Sequence, residues 1–177
     1  MFRSCDQVTR EGKGLMASHD VVELILKDHR TMEDLFHRMR RTDADRSGAL
    51  REFACLLIAH GEAEEAEVYP ALKRYKDIDS NEVEHGAEEH TEGNKALLGL
   101  LEVDEVGGEE WDEKLEKLVE AVTHHLDEEE RTLLNDAREN VASERRAELG
   151  RAFERERADQ LAADCGNIEN VRRIAQR

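Results

Sequence analysis

Residues 60–70, HGEAEEAEVYP, follow directly on FACLLIA (53–59), which has the composition of a buried helix segment. One histidine is followed by four glutamates within seven residues, and then by the only proline of the chain. Helical phase divides the run. Successive residues of an α-helix are about 100° apart, so i, i+3, i+4 and i+7 share a face. The row Phe53, Leu57, His60, Glu64, Val68 is therefore the apolar face of one helix, with a histidine and a carboxylate inside it. Glu62, Glu65 and Glu67 lie beside or outside that row.

A second copy lies further on, as HLDEEERTLLN from His125. His60, Glu64 and Glu65 align with His125, Glu129 and Glu130 without a gap. The row Trp111, Leu115, Leu118, Val122, His125, Glu129, Leu133 again places His and Glu on an apolar face. The neighbouring pair His124 and Glu128 falls on the charged row Lys114, Lys117, Ala121, His124, Glu128, Arg131, so it faces solvent. Looser matches, KDHRTMEDL and EEHTEGNKAL, surround His29 and His90. His29 lies in the row Val22, Ile25, Leu26, Met32, Phe36, and His90 stands above Leu97 and Leu101. His85, about 140° round the helix from His90, does not share its face.

The spacing predicts four helices, over about residues 18–40, 49–72, 82–101 and 110–137. Ser18 is expected to cap the first and Ser80 or Asn81 the third, and Pro70 to kink or end the second. Loops of about eight residues imply an up-down-up-down antiparallel four-helix bundle. Residues 1–17 are polar and patternless and are expected to be disordered. The bundle occupies 18–138. Residues 139–177 form a C-terminal extension with a helix over about 143–164, stopped at Gly166. The apolar stripe of that helix (Leu149, Phe153, Leu161) is thin, and leaves docking on the bundle, a homodimer contact or loose attachment open.

Composition narrows the function. The chain has 177 residues, 39% of them charged and 4% aromatic, and a net charge of −17. Residues 1–137 carry −18 and residues 138–177 carry +1, so the acidic body offers no basic face for nucleic acid. No apolar stretch approaches the roughly 20 residues that span a bilayer. The three cysteines, Cys5, Cys55 and Cys165, form no C-x-x-C pair, and reduced thiols suit the cytoplasm. The expectation is a soluble cytoplasmic protein with no membrane or nucleic-acid partner.

A buried carboxylate costs several kcal/mol unless it is paired or bound to metal. No Lys or Arg lies on the inward rows of the second and fourth helices. Four imidazoles and two carboxylates around one axis suit iron, manganese or zinc. Glu82-x-x-His85 is the one ferritin-like E-x-x-H and is not on an inward row, and the H-E-x-x-H zinc-protease motif is absent.

These residues resemble the hemerythrin-like (HHE cation-binding) family over about residues 20–137. The matching features are DH at Asp28 and His29, H-x-x-x-EE at 60–65 running into YP, EEH ending at His90, and H-x-x-x-EE at 125–130. The resemblance implies His29, His60, His90 and His125 as ligands, with Glu64 and Glu129 bridging two irons. It also implies a small ligand such as O2, NO, peroxide or an azide-like anion. Two departures stand out. Oxygen-carrying hemerythrins place a second histidine one turn before His90, where this chain has Gly86. They also use Asp five residues after the last histidine, where this chain has Glu130. One iron would then keep open positions, unless a distortion at Gly86 lets His85 supply the missing ligand. Three roles follow: a di-iron binder of O2, NO or peroxide for sensing or protection; a di-iron enzyme that consumes peroxide or acts as an oxidase; and an iron-responsive interaction module whose tail reports metal loading.

Overall fold

The computed structural model describes residues 19–177 and is all-helical, with no strand among the described residues. Helix α1 (Val21–Arg40) packs on α2 (Arg46–Ala63), and α4 (Ser80–Leu101) packs on α5 (Glu109–Arg131). These antiparallel hairpins form the expected bundle. The helix starts are set by aspartates rather than by the serines expected: Asp20, Asp45 and Asp79 accept backbone N–H bonds from Val22, Gly48 and Asn81. A carboxylate satisfies the orphan donors as a hydroxyl would and also meets the positive end of the helix dipole. Expected disorder in 1–17 lies outside the described residues, as does Ser18.

The second helix is not a uniform α-helix up to Pro70. Residues Glu64–Val68 wind as a π-helix, in which the Tyr69 N–H donates to the Glu64 carbonyl, before a short α3 (Tyr69–Leu72). Pro70 has no N–H for the carbonyl of Ala66, and its ring would crowd that carbonyl. The wider turn absorbs this conflict. It also matters for the interior. In a strict α-helix Tyr69 would stand about 140° from Glu64; the π turn brings both onto the buried side.

The fourth helix also breaks, at Thr132, whose φ of −108° and ψ of −86° separate α5 from α6 (Leu133–Asn140). The Thr132 hydroxyl donates to the Glu128 carbonyl at 2.9 Å, a back-bond that bends helices. Both copies of the H-x-x-x-EE motif therefore lose α-register within a turn of their paired glutamates.

The tail docks on the bundle. Helix α7 (Ser143–Ala162) crosses α1 and α2, and a further helix not anticipated, α8 (Ile168–Ile174), packs on α4. Leu149 and Phe153 are buried while Leu161 is exposed, and Val171 and Ile174 join the core. Close approach requires two glycines. A Cβ on Gly150 would lie 1.6 Å from the carbonyl oxygen of His19, and one on Gly166 would lie 2.3 Å from the nitrogen of Cys55.

The apolar interior is in two parts. One cluster includes Met32, Phe53, Leu97 and Trp111; the other includes Ile25, Tyr69, Leu133 and Phe153. Along each bundle helix, the inward histidine falls between them. No helix among the described residues is long and apolar enough to cross a membrane.

Gly150→Ala is expected to lower stability by about 2 kcal/mol, since the clash is with rigid backbone. That corresponds to a melting temperature lower by about 4–8 °C for a chain of this size, with α7 cut sooner in limited proteolysis.

Candidate metal centre

His29, His60, Glu64, His90, His125 and Glu129 are all buried, and Glu64 has no exposed surface at all. Their donor atoms gather in two groups. Atoms of His29, His60, Glu64 and Glu129 lie within 4.8 Å of one another, as do those of Glu64, His90 and His125. Glu64 belongs to both. Its Oε2 is 3.2 Å from His60 Nε2 and 3.1 Å from His90 Nε2. Glu129 Oε2 is 3.4 Å from His29 Nε2.

The outward nitrogens follow one rule. His29 Nδ1 meets Glu130 at 2.9 Å, His60 Nδ1 meets Asp28 at 3.3 Å, His90 Nδ1 meets Glu65 at 2.9 Å, and His125 Nδ1 meets Glu89 at 3.0 Å. Each imidazole thus has a carboxylate behind it and presents Nε2 to the centre. This is the support that metal-bound histidines use: a carboxylate fixes ring orientation and raises ligand basicity. The supporting residues are the second glutamate of each H-x-x-x-EE and the acid just before His29 and His90.

Among the described residues, seven buried polar side-chain atoms have no hydrogen-bond partner. Five of them are His29 Nε2, His60 Nε2, both oxygens of Glu64 and Glu129 Oε2. Orphaned buried groups are costly. These atoms belong to the four residues whose donors gather within 4.8 Å, which fits a cation, and the mixed imidazole and carboxylate donors suit a transition-metal ion.

The protonation states agree. Burial pushes the His60 imidazole down, but the charge of Glu64 and the hydrogen bond and charge of Asp28 outweigh it and raise it to about 10. Burial likewise opposes the His90 proton, yet Glu64 and Glu65 raise it to about 9. Glu64 is pushed up by burial and held well below the usual carboxylate range by His60 and His90. Without a cation the layer thus holds protons in its place.

Tyr69 enters through the π turn. Its hydroxyl donates to Glu129 Oε1 at 3.0 Å and lies 3.4 Å from His90 Nε2. Its ring stacks on His90 at 5.5 Å with planes 9° apart. A Cβ on Gly86 would fall 2.8 Å from this hydroxyl, so the phenol and a side chain at position 86 exclude one another. Burial, then the charges of Glu129 and Glu64, keep the phenol protonated by pushing it well above its usual range.

His85 is not brought into either group. Helix α4 runs through Gly86 without a break, and His85 is 51% exposed. His124 is exposed, as its charged row predicts. Sequence reasoning missed Arg157 of α7, which grips Asp28 with two bonds, of 2.6 and 2.8 Å. Phe153 lays its ring edge-on to His60, with centroids 5.8 Å apart. The tail thus supports His60 directly, and no pattern within the bundle signals it. The inner row of α4 also differs: Leu100 is buried and Leu101 only partly so, because Val83, Gly86, His90, Gly93 and Leu97 set the phase.

Beside His90 and His125, a cavity of about 20 Å³ is walled by Leu57, Ile58, Gly61, Gly93 and Val122. Such a space holds a guest the size of one water or a diatomic molecule.

Two outcomes follow for the metal-free and metal-binding protein. The raised values of His60 and His90 contribute stability that is fully present below about pH 6.5. It is lost as pH rises through about 9 and 10. Metal-free protein should therefore melt at lower temperature at pH 10 than at pH 6.5, while metal affinity rises with pH because protons must leave. Calorimetric titration in buffers of different ionisation enthalpy would show proton release at pH 7. Arg157→Ala should weaken metal binding by about 10–100-fold by loosening Asp28 behind His60.

Comparison with known proteins accords with this geometry. No curated protein and no solved structure gave a significant match, whereas the family model described as the hemerythrin HHE cation binding domain matches residues 20–137. That match spans all six buried donors and most of the chain, which therefore belongs to the hemerythrin HHE cation-binding domain family.

Proposed function

We propose that the chain is a non-haem di-iron protein that binds O2, NO or peroxide, for sensing or for protection from oxidative or nitrosative stress. The observation that carries this reading is the membership of Glu64 in both donor groups. A carboxylate shared by two donor groups would serve two ions at once, as a two-metal site requires. His29, His60 and Glu129 would complete one position; His90 and His125 would complete the other. Manganese or zinc would fit the same donors.

The two positions are unequal. The first has four protein donors and the second three, and the small cavity lies on the side of the second. An iron pair would supply reversible electron transfer to a bound diatomic or peroxide. The residues of the chain do the rest. Leu57, Ile58 and Val122 form the apolar part of the wall and Glu62 and Asn94 part of its polar side, the cavity restricts guests to small ones, and Glu65 and Glu89 hold the two imidazoles beside it.

A second reading, peroxide consumption, is favoured by Tyr69. Its hydroxyl is a neutral, buried group 3.4 Å from His90 Nε2, placed to turn its hydrogen bond from Glu129 toward an oxygen ligand beside His90. A third reading, iron-dependent signalling through the tail, is favoured by the chain of contacts from Arg157 through Asp28 to His60.

Iron-loaded protein should contain two irons per chain and give an optical spectrum that changes on adding azide or peroxide. His60→Ala should lose the iron. An iron-free chain, or iron content unaffected by His60→Ala, would contradict the proposal. Tyr69→Phe separates the first two readings. Equal iron content with peroxide turnover lower by about a hundredfold marks the enzyme; no turnover in either protein marks the binder.

A further inference from the structure

A smaller cluster of donors lies outside the buried layer, where α4 and α5 face each other beside Gly86. His85 Nε2 is 3.3 Å from Glu128 Oε2 and 3.6 Å from Glu89 Oε1. Donor atoms of His85, Glu89 and Glu128 all lie within 4.8 Å of one another. His124 is not within that compact trio but reaches the same carboxylates: its Nε2 is 3.4 Å from Glu89 Oε1 and 3.8 Å from Glu128 Oε1.

Glu89 distinguishes this cluster from a solvated acidic patch. It is only 7% exposed. Its Oε2 meets His125 Nδ1, while its Oε1 is shielded from solvent and has no hydrogen-bond partner. The orphaned oxygen faces the two exposed imidazoles. Neither of them makes a hydrogen bond to it, although both stand within 4 Å. A buried carboxylate with one oxygen left without a partner calls for a cation.

The donor set selects which cation. Two imidazole nitrogens and two carboxylate oxygens suit zinc-class ions. With bonds of about 2.0–2.1 Å, tetrahedral ligands stand about 3.3 Å apart. The four imidazole–carboxylate separations run from 3.3 to 3.8 Å, and His124, which lies outside the 4.8 Å trio, must swing its ring inward to close the set. His85 and His124 are 51% and 63% exposed and free to move. Arg131 Nη2, 3.8 Å from Glu128 Oε1, is the competing cation; it sits at the exposed rim and can turn away.

We propose that His85, His124, Glu89 and Glu128 form a separate surface site for a divalent transition-metal ion, with Zn2+ as its best-fitting occupant. Glu89 links it to the buried layer, giving one oxygen to the surface ion and the other to His125. His85 thereby acquires a role distinct from the buried set.

Equilibrium dialysis of the full chain against Zn2+, with calorimetric titration for affinity, tests the site in native protein, His85→Ala/Glu128→Gln, His124→Ala and His60→Ala. The native chain should bind one more Zn2+ than the double variant, and His124→Ala should weaken that equivalent by at least about tenfold. His85 is exposed and Glu128 partly so, and circular dichroism checks that the double variant keeps its fold. Should it unfold, His124→Ala alone decides. Zinc counts and affinities equal to native in both surface variants overturn the proposal. His60→Ala reports on the buried layer independently: an unchanged count there contradicts the buried metal reading, whichever way the surface result falls.

Discussion

The Glu64 carboxylate is enclosed completely in the middle of a helical bundle. Burying such a charge costs several kcal/mol, and hydrogen bonds do not offset it here because both oxygens are orphaned. Other features of the interior are arranged around that carboxylate. Two imidazoles reach Glu64 Oε2, His60 from one turn earlier on the same helical run and His90 from α4, at 3.2 and 3.1 Å. The hydrophobic core divides into two clusters around the polar layer. The helix carrying Glu64 widens into a π turn at that very residue. Without a cation, protons on His60 and His90 balance the charge; with one, the orphaned atoms would be placed to serve as its ligands.

The supporting shell has an internal two-fold logic. Each half of the bundle provides an acid followed by a histidine on its first helix and H-x-x-x-EE on its second. Within a half, the acid of the first helix backs the histidine of the second: Asp28 behind His60, Glu89 behind His125. Between halves, the second glutamate of one backs the first histidine of the other: Glu130 behind His29, Glu65 behind His90. The halves are thus locked through the site, and neither completes its histidines alone. The symmetry is broken by what lies further out. Asp28 is clamped by Arg157 of α7, whereas Glu89 keeps one free oxygen toward the surface. Tyr69 has no counterpart, because Leu134 stands at the matching position of the second copy.

The bundle and its six inward donors were legible because helical phase is strict: one apolar row per helix leaves each histidine an unambiguous side. His124 and His125 show how sharp this is, since one residue of offset separates exposed from buried. Three features escaped. The π turn depends on how one proline's missing N–H is absorbed, and propensity does not say whether a helix kinks, ends or widens. Tyr69 then turns inward only because of that choice. The inner row of α4 carries two glycines, Gly86 and Gly93, so its apolar signal was too weak to fix Leu100 over Leu101. Arg157 lies 129 residues from Asp28, and its contact depends on tail docking, which a thin apolar stripe left undecided. Gly150 and Gly166 permit that docking, yet in sequence Gly166 reads only as a helix stop and Gly150 carries no signal.

The account rests on two cations sharing Glu64. Anomalous diffraction at the iron edge from crystals of the iron-loaded protein would locate them. It should show two peaks about 3.5–4 Å apart, one among His29, His60, Glu64 and Glu129, the other among Glu64, His90 and His125. A single peak, or peaks that leave Glu64 uncoordinated, would contradict it.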